Sequence, residues 1–302
     1  MRLVAVFNRD GGTLRTMDLN EFSANAAEIF AARGHRLDCK VVAGRDVEKT
    51  LRAAAMDGGV DAILAGGGDG TISTAAGIAF ETGKPLAVLP AGTMNLFARA
   101  LRVPLDLTAA LEAIAAGTIG TVDIATANGR PFVHQFGVGI HARLVRIREN
   151  MSYRSRVGKM LASLRAIGAA ALNPPQFDAE FQTPDGTDRR RVSGIAVSNN
   201  PLGDRQIHAD RLDTGMLGVY VAAPVSTSEL LRLAVDLFLG SWRESPMVSE
   251  EEVAEVTLQF PRRKRGAHAV VDGELIKLER LVTIRAHPGA LRVVLPGTAD
   301  NA

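Results

Sequence analysis

The feature that most constrains this fold is a regular alternation of short apolar runs and longer helix-periodic runs over roughly the first 120 residues. Residues 2–8, 61–65 and 85–90 are apolar and of strand length, whereas 18–33 and 71–83 carry apolar residues at helical spacing. Short buried strands separated by helices are typical of a parallel sheet covered by helices on both faces. We therefore predict an N-terminal doubly wound α/β domain.

From about residue 121 onward the pattern changes to strand-like runs separated by turn signals. Asn128 and Gly129, which lie between two β-like runs, are typical of a tight hairpin turn. Further strand-like runs are 177–183, 191–199, 216–223, 255–260, 267–278, 281–286 and 290–296, with helical interruptions at 141–172 and 227–240. This half is predicted to be an antiparallel, β-sandwich-like domain.

The change of pattern places a domain boundary near residue 122. We expect residues 1–122 to form the α/β domain and residues 123–286 to form the β-rich domain. A strand within 287–302 is a candidate to return and complete the first domain.

Composition excludes some classes of protein. The single cysteine, Cys39, excludes an internal disulfide framework and favours a reducing compartment. No uncharged apolar run approaches the ~18 residues that a membrane-spanning helix needs. The net charge of +2 gives no indication of a nucleic-acid partner. We expect a cytoplasmic protein that contacts a membrane, if at all, from the surface.

The segment AILAGGGDGTIS (62–73) places four glycines around one carboxylate, directly after a predicted buried strand. In a doubly wound sheet, ligands bind beyond the carboxyl ends of strands, and glycines let backbone amides at a helix N-terminus surround a phosphate. Asp69 would repel a bare phosphate, so it favours a site that also holds a divalent cation. A tight turn in which Asp69 or Thr71 caps the next helix explains the same residues. The spacing matches neither a dinucleotide fingerprint nor a Walker A loop.

Three motifs occur in a fixed order, namely GGGDGT at 66–71, LPAGTMNLFARAL at 89–101 and VDGE at 271–274. Together they resemble the diacylglycerol kinase catalytic-domain family, especially its small soluble bacterial lipid kinases, to which sphingosine and ceramide kinases are related. The resemblance covers essentially the whole chain. It implies a two-domain ATP-dependent kinase whose active site lies between a nucleotide-binding α/β domain and a β-rich lipid-substrate domain. The GGDG motif alone is less specific, because NAD kinases and phosphofructokinases share it.

The resemblance also implies a nucleotide site for ATP and Mg²⁺. The family's early N-P-x-S-G loop is matched by NRDGG, in which Arg9 replaces the proline and Gly11 the serine. Val41 or Val42 stands where a threonine is usual. The expected nucleotide-binding residues are Asn8, Arg9, Asp10, Gly11, Gly12, Gly66, Gly67, Gly68, Asp69, Gly70, Thr71, Thr93 and Asn95. Asp69 is expected to bridge to Mg²⁺.

The VDGE motif supplies the candidate base. Phosphoryl transfer to an alcohol usually needs a carboxylate that takes the hydroxyl proton, and a tight turn can hold one over a cleft. The resemblance implies that Glu274 is this base, with Asp272 orienting it or contacting metal. Asp-Gly is also a favoured hairpin turn, in which case Glu274 would be an ordinary solvated strand residue.

A second metal site is implied where the family carries an aspartate that binds a structural Mg²⁺. In ADRLDTGML (209–217) that position is Thr214, with Asp213 beside it. The predicted ligands are Asp213 and the carbonyls of Arg211 and Met216. The two carbonyls alone would hold a hard cation poorly.

The segment 141–172 interleaves basic and apolar residues, as basic amphipathic helices do. Such a helix can lie on an anionic lipid surface, or it can pack on its own domain with the basic side in water. The basic clusters 189–191 and 261–266 are interpreted as solvated turns, and without interleaved aromatic residues they do not indicate nucleic acid.

The sequence therefore predicts a lipid kinase that transfers the γ-phosphoryl group of ATP to a lipid hydroxyl, with a diacylglycerol-like acceptor. It would be cytoplasmic, with peripheral contact to the inner face of the membrane through 141–172. Two alternatives stay open: a kinase of a soluble substrate such as NAD, and a nucleotide- or lipid-binding protein without catalysis. The oligomeric state does not follow from the sequence.

Overall fold

The computed structural model describes residues 1–149, 173–183 and 186–297. The predicted amphipathic segment 141–172 therefore lies outside the described residues from position 150 onward. So do the turn residues 184 and 185 and the final residues of the predicted C-terminal strand.

The N-terminal half alternates strands and helices as predicted. Its elements are β1 (Arg2–Asn8), α1 (Leu19–Ala32), β2 (Arg36–Val42), α2 (Val47–Met56), β3 (Ala62–Gly67), α3 (Asp69–Thr82), β4 (Leu86–Pro90), α4 (Leu96–Ala100) and α5 (Leu107–Ala115). The four strands are parallel in the order β2-β1-β3-β4. Helix α1 contacts α5, and α2 contacts α3, as expected when the two pairs cover opposite faces of the sheet.

The second half is rich in antiparallel strands. Its elements are β5 (Thr118–Ala127), β6 (Arg130–Phe132), β7 (Gln135–Gly139), α6 (Ile140–Glu149), β8 (Phe177–Thr183), β9 (Gly186–Val192), β10 (Gly194–Asn199), β11 (Leu217–Ala222), α7 (Thr227–Leu239), β12 (Val248–Val253), β13 (Glu255–Gln259), β14 (His268–Val271), β15 (Glu274–Lys277) and β16 (Leu281–Leu295). One sheet has the order β12-β11-β10-β7-β14-β15. This α/β plus antiparallel β architecture confirms the predicted fold class.

Strand β16 joins the two halves into one continuous sheet. Its N-terminal part pairs with β13, and Val293 near its C-terminus pairs in parallel with Leu86 of β4. The resulting order is β2-β1-β3-β4-β16-β13-β8-β9. The prediction of two separate strands at 281–286 and 290–296 is therefore wrong. The chain instead passes an irregularity between His287 and Leu291 without leaving the sheet.

Asp123 on β5 explains how the sheet tolerates this irregularity. Its buried carboxylate accepts the backbone N–H of Gly289 at 2.8 Å, and that glycine has a φ of +61°. The other oxygen accepts the N–H of Gly215 at 2.7 Å. A positive φ costs little free energy only for glycine. The bulge therefore depends on Gly289 and on the Asp123 carboxylate that accepts its N–H. The predicted boundary at residue 122 falls within β5, and the division into domains stays a prediction.

The apolar side chains form two large cores, one on each side of this junction. The first lies between the parallel strands and their helices, and it also receives Leu291, Val293 and Val294 from β16. The second lies between the two sheets of the C-terminal half, where Phe132, Phe136 and other inward-facing side chains meet. The space between the glycine-rich loops and the second sheet is where the two halves face each other.

Two parts of the C-terminal half differ from the sequence predictions. Arginines 189–191 are strand residues of β9 and not solvated turns, because Arg189 faces Asp178 and Glu180 on β8. The predicted strand 191–199 is interrupted at Ser193, whose buried hydroxyl accepts the N–H of Val225. Segment 261–266 is a turn, as predicted.

Candidate active site

A cavity of about 980 Å³ lies between the glycine-rich loops of the first half and the β14–β15 turn of the second. Its polar end is bordered by residues of the NRDGG loop and of all three motifs. These are Gly12, Gly68, Asp69, Gly70, Thr93, Asn95, Asp272 and Glu274. The fold therefore brings together parts of all three motifs, which are far apart in the sequence.

The GGGDGT loop ends β3 and begins α3. Gly68 is the N-cap residue of α3, so no side chain makes a capping hydrogen bond, and Asp69 is the first helical residue. The interpretation of Asp69 or Thr71 as a cap of α3 is therefore wrong. The first N–H groups of an α-helix have no partner within the helix, and here the residues at this end, Gly68 to Gly70, line the cavity. This end of α3 can bind phosphate oxygens.

The glycines of this region have two different roles. A Cβ on Gly66 would lie 2.6 Å from the Phe7 ring, and one on Gly67 would lie 2.6 Å from the Thr71 side chain, so packing excludes side chains there. A Cβ on Gly70 would meet only Glu274 Oε1, at 3.9 Å. The open space at Gly70 is on the cavity side. It is space that a ligand can occupy and that a side chain would fill.

Asp69 connects the two glycine-bearing loops. Its Oδ1 accepts the N–H of Leu96 at 2.8 Å, and its Oδ2 accepts the N–H of Asn95 at 3.1 Å. Each carboxylate oxygen can accept more than one hydrogen bond, so both retain acceptor capacity, and Asp69 lines the cavity. A hard divalent cation fits this carboxylate, and the two amides fix its orientation.

The loop PAGTMN is held by its own asparagine. Asn95 has a φ of +52° and is buried, and its side-chain amide donates to Gly92 O and accepts Gly92 N–H. A Cβ on Gly92 would lie 2.7 Å from Gly68 Cα. Asn95 therefore shapes the loop through Gly92. Thr93 is exposed on the cavity wall.

The NRDGG loop packs beside the glycine-rich loop. Asn8 Nδ2 donates to Thr71 Oγ1 at 3.0 Å, and Asp10 Oδ2 accepts the N–H of Gly44 at 2.8 Å. Gly12 lines the cavity with a φ of +43°, and a Cβ there would lie 1.8 Å from Ala91 O. Arg9 is exposed. The loop is thus held by Thr71 of α3 and by Gly44 after β2, and its Gly12 lines the cavity.

Asp272 anchors the VDGE turn. Both Asp272 and Gly273 have positive φ, at +46° and +86°. The Asp272 carboxylate is buried and accepts the N–H groups of three successive residues, 133–135, at 2.9–3.0 Å. It also accepts the hydroxyl of Ser73 on α3 at 2.7 Å. Asp272 therefore orients the turn that carries Glu274, and Ser73 ties this turn to α3.

Glu274 extends from this turn toward the start of α3. Its side chain is 55 % exposed, and its Oε2 accepts a hydrogen bond from Arg130 Nη2 at 2.6 Å. The sequence analysis did not identify Arg130. It follows the Asn128-Gly129 turn, which was recognised only as a hairpin signal.

Two histidines and a glutamine lie between the polar end of the cavity and its interior. His134, Gln135 and His141 line the cavity, and Gln135 Nε2 lies 3.3 Å from His141 Nδ1. Burial lowers the pKa of His134 below its ordinary value of 6.5, and the carboxylates of Asp272 and Asp69 only partly oppose this shift. His134 is therefore neutral at pH 7. His134 and His141 belong to none of the three motifs, and the fold brings both to the cavity.

The predicted structural metal site lies away from this cavity. Asp213 is exposed and pairs with Arg211 at 3.0 Å, and that guanidinium lowers the pKa of the Asp213 carboxyl. The Thr214 hydroxyl donates to Asn200 Oδ1 at 2.7 Å and lies 3.3 Å from Met216 O. These groups do not fit a hard cation, because the one carboxylate is engaged elsewhere and a hydroxyl lies against the carbonyl. Among the described residues no group of three or more His, Cys, Asp or Glu side chains could hold a metal ion.

Comparisons with known proteins agree with this architecture. The diacylglycerol kinase catalytic domain family matches residues 2–127. A diacylglycerol kinase of Staphylococcus aureus is 42% identical over 223 residues, which cover 70% of this chain and 68% of that protein. An uncharacterized protein of Synechocystis is 28% identical over 244 residues, 78% of this chain, and the chain spans only about half (54%) of its length.

The fold is also similar to a solved structure. A crystal structure of a putative diacylglycerol kinase from Bacillus anthracis superposes with a TM-score of 0.75 at 20% identity, covering 97% of this chain and 96% of that one. At this identity the likeness concerns the fold alone. With the family match and the S. aureus relative, it leads to one conclusion: the chain belongs to the diacylglycerol kinase catalytic-domain family.

Proposed function

We propose that this protein is an ATP-dependent lipid kinase, which phosphorylates a hydroxyl group of a diacylglycerol-like lipid. The observation that carries the proposal is the cavity itself. Its polar end combines a helix N-terminus, Asp69 and Glu274, and it continues between α6, α7 and the second sheet as an apolar space. A soluble, highly polar acceptor such as NAD would not gain from burial against these apolar walls.

The interior walls of the cavity are mainly apolar. They come from α6, α7 and the neighbouring strands, and include Val138, Ile140, Leu144, Val145, Ile195, Leu233, Leu237, Tyr220 and Trp242. The Tyr220 hydroxyl accepts the N–H of Leu202 at 2.7 Å and is also hydrogen-bonded to Glu250. Burying apolar surface contributes about 25 cal/mol per Å², so acyl chains are suited to this space.

The polar end fits the requirements of phosphoryl transfer. The N-terminal amides of α3 would bind the phosphates of ATP, and Asp69 would hold Mg²⁺, which neutralises phosphate charge when bound. No lysine or arginine is among the described residues that line the cavity, so this neutralisation depends on the amides and on the cation. Glu274 would accept the proton of the lipid hydroxyl at its carboxylate as the hydroxyl oxygen bonds to the γ-phosphorus of ATP, while the bond from that phosphorus to the β–γ bridging oxygen breaks and ADP leaves.

Contact with a membrane surface is part of this proposal. No helix of the described residues is long and apolar enough to cross a membrane. Leu144 and Val145 of helix α6 line the cavity, whereas Arg146 is exposed to solvent. The apolar face of α6 toward the cavity is therefore distinct from the face that carries Arg146. We propose that the region beginning with α6 contacts the inner face of the membrane peripherally, where the acceptor lipid resides.

The test is to incubate the protein with γ-labelled ATP, Mg²⁺ and vesicles of total bacterial lipid, and to separate the labelled lipids. Glu274→Gln and Asp69→Asn are the informative variants, and Glu252→Gln on exposed β12 is the matched control. We expect one labelled lipid, reduced about 10²–10⁴-fold by Glu274→Gln and unchanged by the control.

Other outcomes identify the alternatives. Labelling of NAD or another soluble metabolite without vesicles would replace the lipid acceptor by a soluble one. Binding of ATP without any labelled product, and without an effect of Glu274→Gln, would indicate a binding protein that lacks catalysis.

A further inference from the structure

We propose that Arg130 is the positioning residue that directs the Glu274 carboxylate toward the phosphate end of the cavity. The inference rests on the proposed function, since it concerns the base of that reaction. Arg130 Nη2 holds Oε2 at 2.6 Å. The other oxygen, Oε1, faces the start of α3, where a Cβ on Gly70 would lie 3.9 Å away. One oxygen is thus bound to the arginine, and the other is directed at the place where phosphates would bind.

The backbone that carries Arg130 is fixed on two sides. The hairpin turn before it has positive φ at Asn128 and Gly129, +49° and +82°. The Asn128 side chain donates to Leu281 O and accepts the N–H of Thr283 on β16. On the other side, Pro131 packs against α3, since a Cβ on Gly77 would lie 3.1 Å from its ring. Arg130 therefore starts from a rigid position relative to both α3 and the second half.

The Glu274 side chain has no comparable support of its own. Asp272 fixes the backbone of the turn, but it leaves the rotatable bonds of the more than half-exposed Glu274 side chain free. Among the described residues, Arg130 is the group that bonds the Glu274 carboxylate. Reacting groups displaced by about 1 Å can lose a rate factor of about 10². Arg130 thus selects the one orientation of Glu274 in which Oε1 reaches the acceptor hydroxyl.

The position of this ion pair allows its catalytic and structural roles to be separated. Exposed ion pairs contribute only about 0–1 kcal/mol to folding, so Arg130→Ala should leave the thermal midpoint nearly unchanged. Arg52 and Glu81 form a matched exposed pair at 2.8 Å, 42 % and 48 % exposed, away from the cavity. Arg52 also pairs with Glu48 at 3.5 Å, so Arg52→Ala is the control for loss of exposed ion pairs away from the cavity.

The experiment is steady-state kinetics of Arg130→Ala, Arg130→Lys, Arg52→Ala, Glu274→Gln and the Arg130→Ala/Glu274→Gln double variant. We expect Arg130→Ala to lower kcat about 10-fold or more, with KM for ATP within about twofold. Arg130→Lys should recover most of kcat, and Arg52→Ala should change nothing. The double variant should be no slower than Glu274→Gln alone, because the arginine acts only through the carboxylate.

Three results would overturn the inference: kcat of Arg130→Ala equal to that of Arg52→Ala, a multiplicative loss in the double variant, or an effect on KM for ATP alone. The last would make Arg130 a nucleotide-binding residue. Crystal structures of the wild type and of Arg130→Ala give a readout that needs no acceptor. If the wild type phosphorylates no lipid, the proposed function fails. In that case the two crystal structures decide on Arg130. A Glu274 side chain that changes its orientation in Arg130→Ala supports the inference, and an unchanged one overturns it.

Discussion

The two walls of the cavity are built in different ways. On the α/β side, the loops are held by partly buried hydrogen bonds with one another, such as those of Asp69 with residues 95 and 96 and of Asn95 with Gly92. On the β side, the turn is equally well held by Asp272, but the side chain it presents, Glu274, is exposed and supported by a single ion pair. The first wall offers a fixed shape made of backbone, and the second offers one adjustable side chain.

This difference suits a two-substrate reaction. Phosphates have a constant geometry and can be bound by preformed amides. In the proposed reaction the acceptor lipid would meet the second wall, where Arg130 orients the Glu274 side chain. Substitutions in the first wall should therefore affect folding first, whereas substitutions at Glu274 and Arg130 should affect the reaction first.

The first prediction concerns a pair of glycines on the first wall. Gly92→Ala would place its Cβ 2.7 Å from Gly68 Cα and 2.8 Å from Asn95 Oδ1. Because backbone would have to move, we expect a loss of about 2–3 kcal/mol in the free energy of unfolding. Gly70→Ala meets open space, so folding should be unaffected or more stable by up to about 1 kcal/mol.

Urea unfolding and ATP binding of the two glycine variants provide the measurement. Gly70→Ala should fold normally and bind ATP more weakly, because its methyl group enters the cavity. If Gly70→Ala bound ATP as tightly as the wild type, the phosphates would not lie at the start of α3. If Gly92→Ala were fully stable, the two loops would not be packed as described.

The second prediction concerns the contact between the walls. Asp272→Ala leaves three backbone N–H groups and the Ser73 hydroxyl without their acceptor, so we expect a loss of about 3 kcal/mol. Ser73→Ala removes one of these bonds, and should cost about 1 kcal/mol. Ser23 on α1 bonds within its own helix and gives the control variant Ser23→Ala. Equal unfolding free energies of Ser73→Ala and Ser23→Ala would show that the contact across the cavity contributes nothing.

The sequence was sufficient for the parts of the fold that depend on local pattern. Alternating strands and helices gave the parallel sheet, and the three motifs gave the two sides of the cavity. It could not show that β16 runs unbroken through both halves, because the irregularity at His287 has the appearance of a turn. It also missed β12, whose run of glutamates has strand character only when paired with β11.

Within the site, the same limit applies to long-range pairs. Asp69 and Glu274 belong to motifs, so they could be identified from the chain alone. Ser73 and Arg130 belong to no motif. They become relevant only in the folded protein. Ser73 meets Asp272, which is 199 positions away in the sequence, and Arg130 meets Glu274, which is 144 positions away.

The third prediction concerns pH and the interior of the second wall. The pKa of His134 is lowered by burial, so the folded state binds its proton less readily than the unfolded state does. The unfolded state then holds more protons, and stability must fall as pH decreases below the ordinary pKa of 6.5. His134→Gln should therefore lose less stability than the wild type between pH 7 and pH 5. Parallel pH curves of the unfolding free energy would show that folding does not lower the pKa of His134.

The smallest expected effect concerns the region of Thr214, which lies on neither wall. The hydroxyl and N–H of Thr214 both donate to Asn200 Oδ1, so hydrogen bonds hold the place where the family pattern implies a cation. Without nucleotide, the thermal midpoint in EDTA and in Mg²⁺ should agree within about 1 °C, which is well below 1 kcal/mol for a domain of this kind. Thr214→Val should cost about 1–2 kcal/mol equally in both solutions, because the hydrogen bonds of the hydroxyl to Asn200 and Met216 are lost and no metal is involved. A drop of several degrees on chelation, abolished in Thr214→Val, would instead show that a cation binds here and supports the second wall from behind.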